Sequence, residues 1–359
     1  MKHLLIYFTK DLSFNEYFCS WVNRKLSSKN LTPDTIIKLN NNDSKLNTLL
    51  DINYNKYGLI TIITDEYSFS TINKILATLK ECELILINDE FIVEKYIKYQ
   101  KDSVLLELNN VSINIIKTNI FEFPEILHNN KTNYDFLIHD EMSNVEILLT
   151  TSVKPYNIEL SIYPLLSNLL YVKVNTSEYS DEVGFLASIR SLFNKKVIFT
   201  NNLYQYIGQV LNLQNQTISF AESCTGGLLA SNFTKIDGIS SVYKGSLITY
   251  SNEYKKAWLN VKDENLDNGM VYSNECAVSM ASGVLSLTKS NYAISCTGVL
   301  GSDDLGTKSG TVYICAIKDD GKQLCKTLNL KGDRIYMQEQ CALECALLLC
   351  ELEKELFFE

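Results

Sequence analysis

Residues 217–227, Thr-Ile-Ser-Phe-Ala-Glu-Ser-Cys-Thr-Gly-Gly, constrain this chain more than any other stretch. Thr217 to Phe220 has the apolar, β-branched character of a short buried strand, and Leu228 to Phe233 has a helical pattern. Between them lie Glu222, Ser223, Cys224, Thr225 and the Gly226-Gly227 pair. A strand, a small polar turn and a helix start are expected to present free backbone N–H groups above the turn. Glycine there lets a ligand approach the backbone. The stretch is therefore expected to floor a small-molecule site.

The 359 residues suggest two or three domains, and 46% apolar content suffices for ordinary cores. A net charge of -9, from 33 basic and 42 acidic residues, argues against a broad nucleic-acid or anionic-membrane surface. No apolar run reaches the ~18 residues of a membrane span. The opening Met-Lys-His-Leu-Leu-Ile-Tyr-Phe is too short for a signal peptide's apolar region and reads as a first strand. Ten cysteines without any Cys-x-x-Cys spacing are expected to be buried free thiols in a cytoplasmic protein.

Glycine usage divides the chain: three of the 15 glycines precede residue 221, and twelve fall between Gly226 and Gly332. Chemistry that needs close backbone approach is expected in the last 140 or so residues. In the first part, His3 to Phe8, Gly58 to Thr64 and Glu83 to Asn88 read as strands. Asn15 to Leu26 and Thr71 to Leu79 read as helices, which implies an α/β domain with a largely parallel sheet over residues 1–165. The loop carboxylates Asp65, Glu66, Asp89 and Glu90 could hold a cation, but solvated acidic loops are the more ordinary expectation. Residues 166–201 read as a small linker subdomain. Over 202–359, strand–helix alternation followed by an Asp320-Gly321 hairpin implies a mixed sheet flanked by helices. Asn252 is expected to cap a helix from Glu253 to Leu259, and Arg334 to Phe357 to form a long closing helix.

No histidine follows His139, so this last domain cannot build a Ser-His-Asp or Cys-His site. It offers zinc neither imidazole nor paired cysteines. It also lacks Gly-x-Ser-x-Gly, Gly-x-Gly-x-x-Gly and P-loop patterns. The remaining nucleophiles are Ser223, Cys224, Ser240 and Ser241, with Tyr250, Lys255 and Glu222 as partners. A lysine kept neutral by burial can take a serine proton. Thr297 and Gly298 end a strand where open α/β sheets place ligands, and Arg334 suits a phosphate or carboxylate. Taken singly, each is more simply a turn cap, a solvated lysine or a surface ion pair, and Cys224 a packed thiol. Their joint presence in a glycine-rich domain favours a site.

Ala221-Glu-Ser-Cys-Thr-Gly-Gly227, Thr249-Tyr-Ser-Asn-Glu253 with Lys255, Thr297-Gly298, Ser309-Gly-Thr-Val312 and Gly332-Asp-Arg334 occur in this order. The order resembles the C-terminal domain of the CinA competence/damage-inducible family, over about residues 202–359. That domain looks like nicotinamide mononucleotide amidohydrolase, which yields nicotinate mononucleotide and ammonia. The resemblance implies a nucleophile ten residues before the motif tyrosine, hence Ser240, with Ile239 in place of a serine. It implies Lys255 as general base and Tyr250 as its assistant. It links Ser223, Thr297 and Arg334 to substrate binding or orientation, and the Thr225-Gly226 turn is a further candidate phosphate holder. No metal or cofactor is required. The family's Thr-Gly-Ile-Ala-Gly-Pro stands here as Thr297-Gly-Val-Leu-Gly-Ser302, with a leucine expected to narrow the pocket.

The first part resembles the family's molybdopterin-binding-like domain weakly. Thr9-Lys10-Asp11 and Thr64-Asp65-Glu66-Tyr67-Ser68 stand where its glycine-rich loops would be. A degenerate scaffold without ADP-ribose pyrophosphatase activity is expected. The partners implied are a small pyridine nucleotide and further copies of the chain, with no nucleic acid and no membrane. The alternative is a non-catalytic protein that keeps the fold for assembly with competence or DNA-damage partners.

Overall fold

The computed structural model describes residues 2–41, 43–52, 56–128, 135–177, 179–301 and 306–359. It is a mixed α/β structure whose chain divides into two compact units. The first holds residues up to 133 with short pieces at 157–159 and 174–180. The second holds 134–156, 160–173 and 181–359.

In the first unit, six strands are ordered Thr35–Leu39, His3–Phe8, Leu59–Thr64, Val111–Lys117, Ser103–Leu108, Lys98–Gln100. The first four run parallel, and the last two add antiparallel at one edge. His3–Phe8 and Leu59–Thr64 are buried at every position, as strands covered on both faces must be. The helices Glu16–Ser27 and Glu66–Leu79 start at side-chain caps, Asn15 and Asp65. Leu84–Ile87 is the expected strand, but it pairs with Glu90–Val93 in a separate hairpin. The acidic loops meet a cation from the protein itself: Lys117 Nζ lies 3.0 Å from Glu66, 2.5 Å from Glu90 and 2.8 Å from Asp102. Burial disfavours the Lys117 charge, yet hydrogen bonds to these carboxylates outweigh it and hold its pKa above the ordinary lysine value.

In the second unit, Tyr243–Ile248, Ile218–Glu222 and Tyr292–Gly298 run parallel, followed by antiparallel Thr311–Lys318 and Gln323–Asn329. Alternation assigns Ile218 and Phe220 to one face, packed with Leu203–Leu213, Leu228–Thr234 and Arg334–Leu352. Ala221 and Ala293 face the other way, against Asn252–Leu259 and Asn274–Thr288. A small sheet, Glu159–Leu166, Leu169–Asn175, Phe136–Ile138 and Val197–Ile198, adds Leu137, Leu166, Leu169 and Ile198 to the first of these cores. Leu166, Leu169 and Ile198, from the segment expected to be a linker subdomain, thus share a hydrophobic core with the five-stranded sheet. Of the ten cysteines, Cys315 and Cys325, directly opposed on antiparallel strands, form a disulfide, so the expectation of free thiols throughout is corrected there. The other eight are free. Among the described residues, no helix is long and apolar enough to cross a membrane.

Candidate active site

The chain leaves Ile218–Glu222 through a helix on one face to reach Tyr243–Ile248. It returns through helices on the other face to Tyr292–Gly298, on the opposite side of the same strand. This reversal makes the C-terminal end of Ile218–Glu222 a topological switch point, where open α/β sheets bind ligands. The strand ends are level: Glu222 pairs with Ile248 and with Cys296. Ser223 N donates to Cys296 O at 3.1 Å, and Thr249 N to Glu222 O at 2.8 Å.

Two neighbouring residues turn to opposite faces there. Glu222 faces the helix Leu228–Thr234 and is fully buried. Its Oε2 accepts from Thr225 Oγ1 (2.7 Å), Gly227 N (3.0 Å) and Leu229 N (3.1 Å). Its Oε1 accepts from Ala230 N (2.9 Å) and Ser246 Oγ (3.1 Å). Burial pushes the Glu222 carboxyl up and the donated hydrogen bonds pull it back. These contacts correct the expectation of free N–H groups above the turn for Gly227, Leu229 and Ala230, because the helix start is capped from within. Thr225 is buried by the same bond and presents no hydroxyl to a ligand. Gly226 and Gly227 hold φ of +64° and +100°, and a Cβ on Gly227 would come within 2.8 Å of Ile248 Cδ1. Their glycines are required by the turn's own geometry.

Ser223 meets Lys255. Ser251, rather than the expected Asn252, caps the helix Asn252–Leu259 by accepting from Tyr254 N. Lys255 and Leu259, one turn apart, are the inward positions of that helix. Lys255 Nζ donates to Ser223 Oγ at 3.0 Å and to the carbonyl of Thr249 at 2.8 Å. Lys255 is 1% exposed and Ser223 8%. No carboxylate pairs with this ammonium among the described residues, and burial lowers its pKa. The N–H groups of Cys224 and Thr225, just past Ser223, donate to no acceptor among the described residues.

Tyr250 and Arg334 form a second pair, exposed to solvent. Arg334, the first residue of the helix Arg334–Leu352, donates through Nη2 to Tyr250 Oη at 2.8 Å. A Cβ on Gly301 would lie 3.6 Å from its Nη1. One turn along, Gln338 Nε2 donates to the Cys224 carbonyl at 2.9 Å. Gln338 escaped the sequence reading, although its position four residues after Arg334 puts it on the same helix face.

Three expectations are corrected here. Ser240 lies in the turn Ile239–Ser241, before the strand Tyr243–Ile248, whereas Thr249 and Lys255 lie beyond its other end. Five steps of ~3.3 Å make that strand about 16 Å long, so Ser240 cannot reach Lys255 within one chain. Ile239 beside it is a core residue, packed toward Gly208. Thr297 is fully buried, and its hydroxyl donates to Val271 O at 2.8 Å, so it anchors a loop. Leu300 is 4% exposed and belongs to the core under the sheet, so it does not narrow the site. Ser302 lies outside the described residues.

Two other features stand apart from this pair. In the first unit, a cavity of about 660 Å³ is lined by Lys10, Asp65, Lys117 and neighbours at the C-terminal ends of the parallel strands. In the second, the Sγ atoms of Cys224, Cys296 and Cys341 lie within 4.8 Å of one another, all buried.

The fold and site define an α/β domain with a buried lysine–serine pair at a sheet switch point. Residues 200–353 match the family model described as the CinA C-terminal domain. It is 38% identical over 143 residues to a CinA-like protein of Fervidobacterium nodosum, covering 39% of this chain and 35% of that one. It is 46% identical over 136 residues to a putative competence-damage inducible protein of Clostridium novyi, covering 37% and 32%. The match therefore spans about a third of these relatives' length. Among solved structures, the competence/damage inducible protein CihA of Agrobacterium tumefaciens aligns at 28% identity, covering 42% of this chain and 93% of that one, with a TM-score of 0.41.

Proposed function

We propose that the second unit hydrolyses a carboxamide by serine–lysine chemistry, with nicotinamide mononucleotide as substrate. The observation that carries this reading is the 3.0 Å hydrogen bond between Ser223 and a buried lysine without a counter-ion. Neutral Lys255 takes the Ser223 hydroxyl proton as Oγ attacks the carboxamide carbon. The free N–H groups of Cys224 and Thr225, which follow Ser223 directly, receive the developing oxyanion in this reading. Lys255 then gives its proton to the leaving nitrogen, ammonia departs, and water hydrolyses the ester on Ser223. Arg334, with Tyr250, serves the 5′-phosphate at the exposed edge. The substrate assignment rests on the family resemblance.

Ammonia release from nicotinamide mononucleotide by the purified chain tests this reading. Ser223→Ala should lower turnover by at least roughly 10³-fold, while Ser240→Ala leaves it within a few-fold of the parent. The opposite result would show that a second copy supplies Ser240, since one chain cannot bring it to Lys255. No release at high enzyme concentration would favour the second reading, a non-catalytic partner in competence or damage response.

For the first unit we infer a scaffold without pyrophosphatase activity. Lys117 already occupies the centre of the Glu66, Glu90 and Asp102 carboxylates, where a divalent ion would have to sit. Metal-dependent cleavage of ADP-ribose by the full chain would refute this.

A further inference from the structure

Three thiols meet beneath the Ser223 turn although no two are close in sequence. Cys224 follows the central strand, Cys296 sits in the neighbouring strand Tyr292–Gly298, and Cys341 lies on the helix Arg334–Leu352. They are 3%, 0% and 0% exposed. Each comes from a rigid, separately anchored element: Glu222 registers with Cys296 across the sheet, and Gln338 ties the helix to the Cys224 carbonyl. Cys296 Sγ lies 3.1 Å from Thr225 Oγ1, whose own proton goes to Glu222, so the Cys296 thiol is the donor in that contact.

Thiolates bound at ~2.3 Å to one ion lie roughly 3.8–4.0 Å apart, so sulfurs already within 4.8 Å need move only slightly. Soft sulfur donors without imidazole or carboxylate select soft ions. Zinc in structural sites wants four ligands, and the cluster supplies three. We propose that Cys224, Cys296 and Cys341 form a three-thiolate site for a soft monovalent ion, copper(I).

On binding, three S–H bonds break, three Cu–S bonds form, and the protons pass to solvent. Three thiolates and one copper(I) leave a net charge of -2. Entry is through the Cys224 turn, where Ser223 and Cys224 keep slight exposure.

The test is anaerobic titration of the reduced full chain with copper(I) against the chelator bathocuproine disulfonate. The half-buried thiols Cys19 and Cys82 are replaced by serine throughout. One copper per chain should be retained. Cys296→Ser and Cys341→Ser should each weaken binding by about 100-fold or more, beyond what loss of an outer partner costs. Cys350→Ser, a buried thiol on the same helix outside the cluster, should bind like the parent. Parent-like affinity in Cys296→Ser or Cys341→Ser overturns the proposal, as does absence of binding by the parent. Should those variants not fold, X-ray absorption on the copper-loaded parent decides: three sulfur neighbours support the site, and fewer sulfurs, or nitrogen and oxygen neighbours, refute it.

Discussion

At the scale of the residue, the second unit depends on what burial does to one amine. Lys255 is enclosed with one hydroxyl and two carbonyls as its hydrogen-bond partners. Desolvation therefore favours the neutral form, the form a base must have. The rate should rise with pH along a limb whose midpoint falls below the ordinary lysine value. Activity is lost as pH falls through it, when the amine is protonated. A pH profile of kcat/KM for the parent checks this, and a limb at or above the free-lysine value would remove Lys255 as the base. The linked effect on stability has the same sign. Below the folded pKa the buried charge is fully penalised, and the penalty is relieved as pH rises toward the unfolded value.

At the scale of the element, the Glu222 carboxylate caps a helix of seven residues. Such a helix gains little from propensity and relies on packing and caps. Glu222→Gln replaces an acceptor oxygen by an NH₂ group facing N–H and O–H donors. It should cost about 2–4 kcal/mol, read as a lower urea midpoint at unchanged slope. A midpoint equal to the parent's would mean that the cap contributes nothing. Ser223 should keep its place worse in this variant, because the same turn carries both residues.

At the scale of the whole molecule, the family match begins at residue 200, but the core of the second unit does not. Leu137, Leu166, Leu169 and Ile198 pack into the core that includes Phe357 and the helix Arg334–Leu352. His139 Nε2 lies 2.9 Å from Glu351, whose carboxyl is buried; that burial raises its pKa, and His139 and Lys326 together pull it below the ordinary range. A fragment of residues 202–359 should melt well below one of residues 135–359 and should bind a hydrophobic dye that the longer one does not. Equal melting temperatures would show that the small sheet adds no stability.

The sequence by itself determined the α/β character of both parts, the strands at His3–Phe8 and Leu59–Thr64, most elements after residue 202 and the buried turn at 217–227, but not the strands Thr35–Leu39, Ser103–Leu108 and Val111–Lys117. Periodicity and turn residues are local, and each element carries its own pattern. It also placed Lys255, Tyr250 and Arg334 among the residues worth testing, because absent histidines left little else for acyl chemistry. Only the tertiary structure decided which serine meets the lysine. Parallel pairing put Ser223 level with Thr249 and left Ser240 at the far end of a strand, a relation that spacing along the chain cannot express. It also spent Thr225, Thr297 and the helix N–H groups inside the fold. By the same means it gathered Cys224, Cys296 and Cys341 from three distant segments. Contacts between elements depend on register and face, and those are fixed only when the sheet and its helices close over one core.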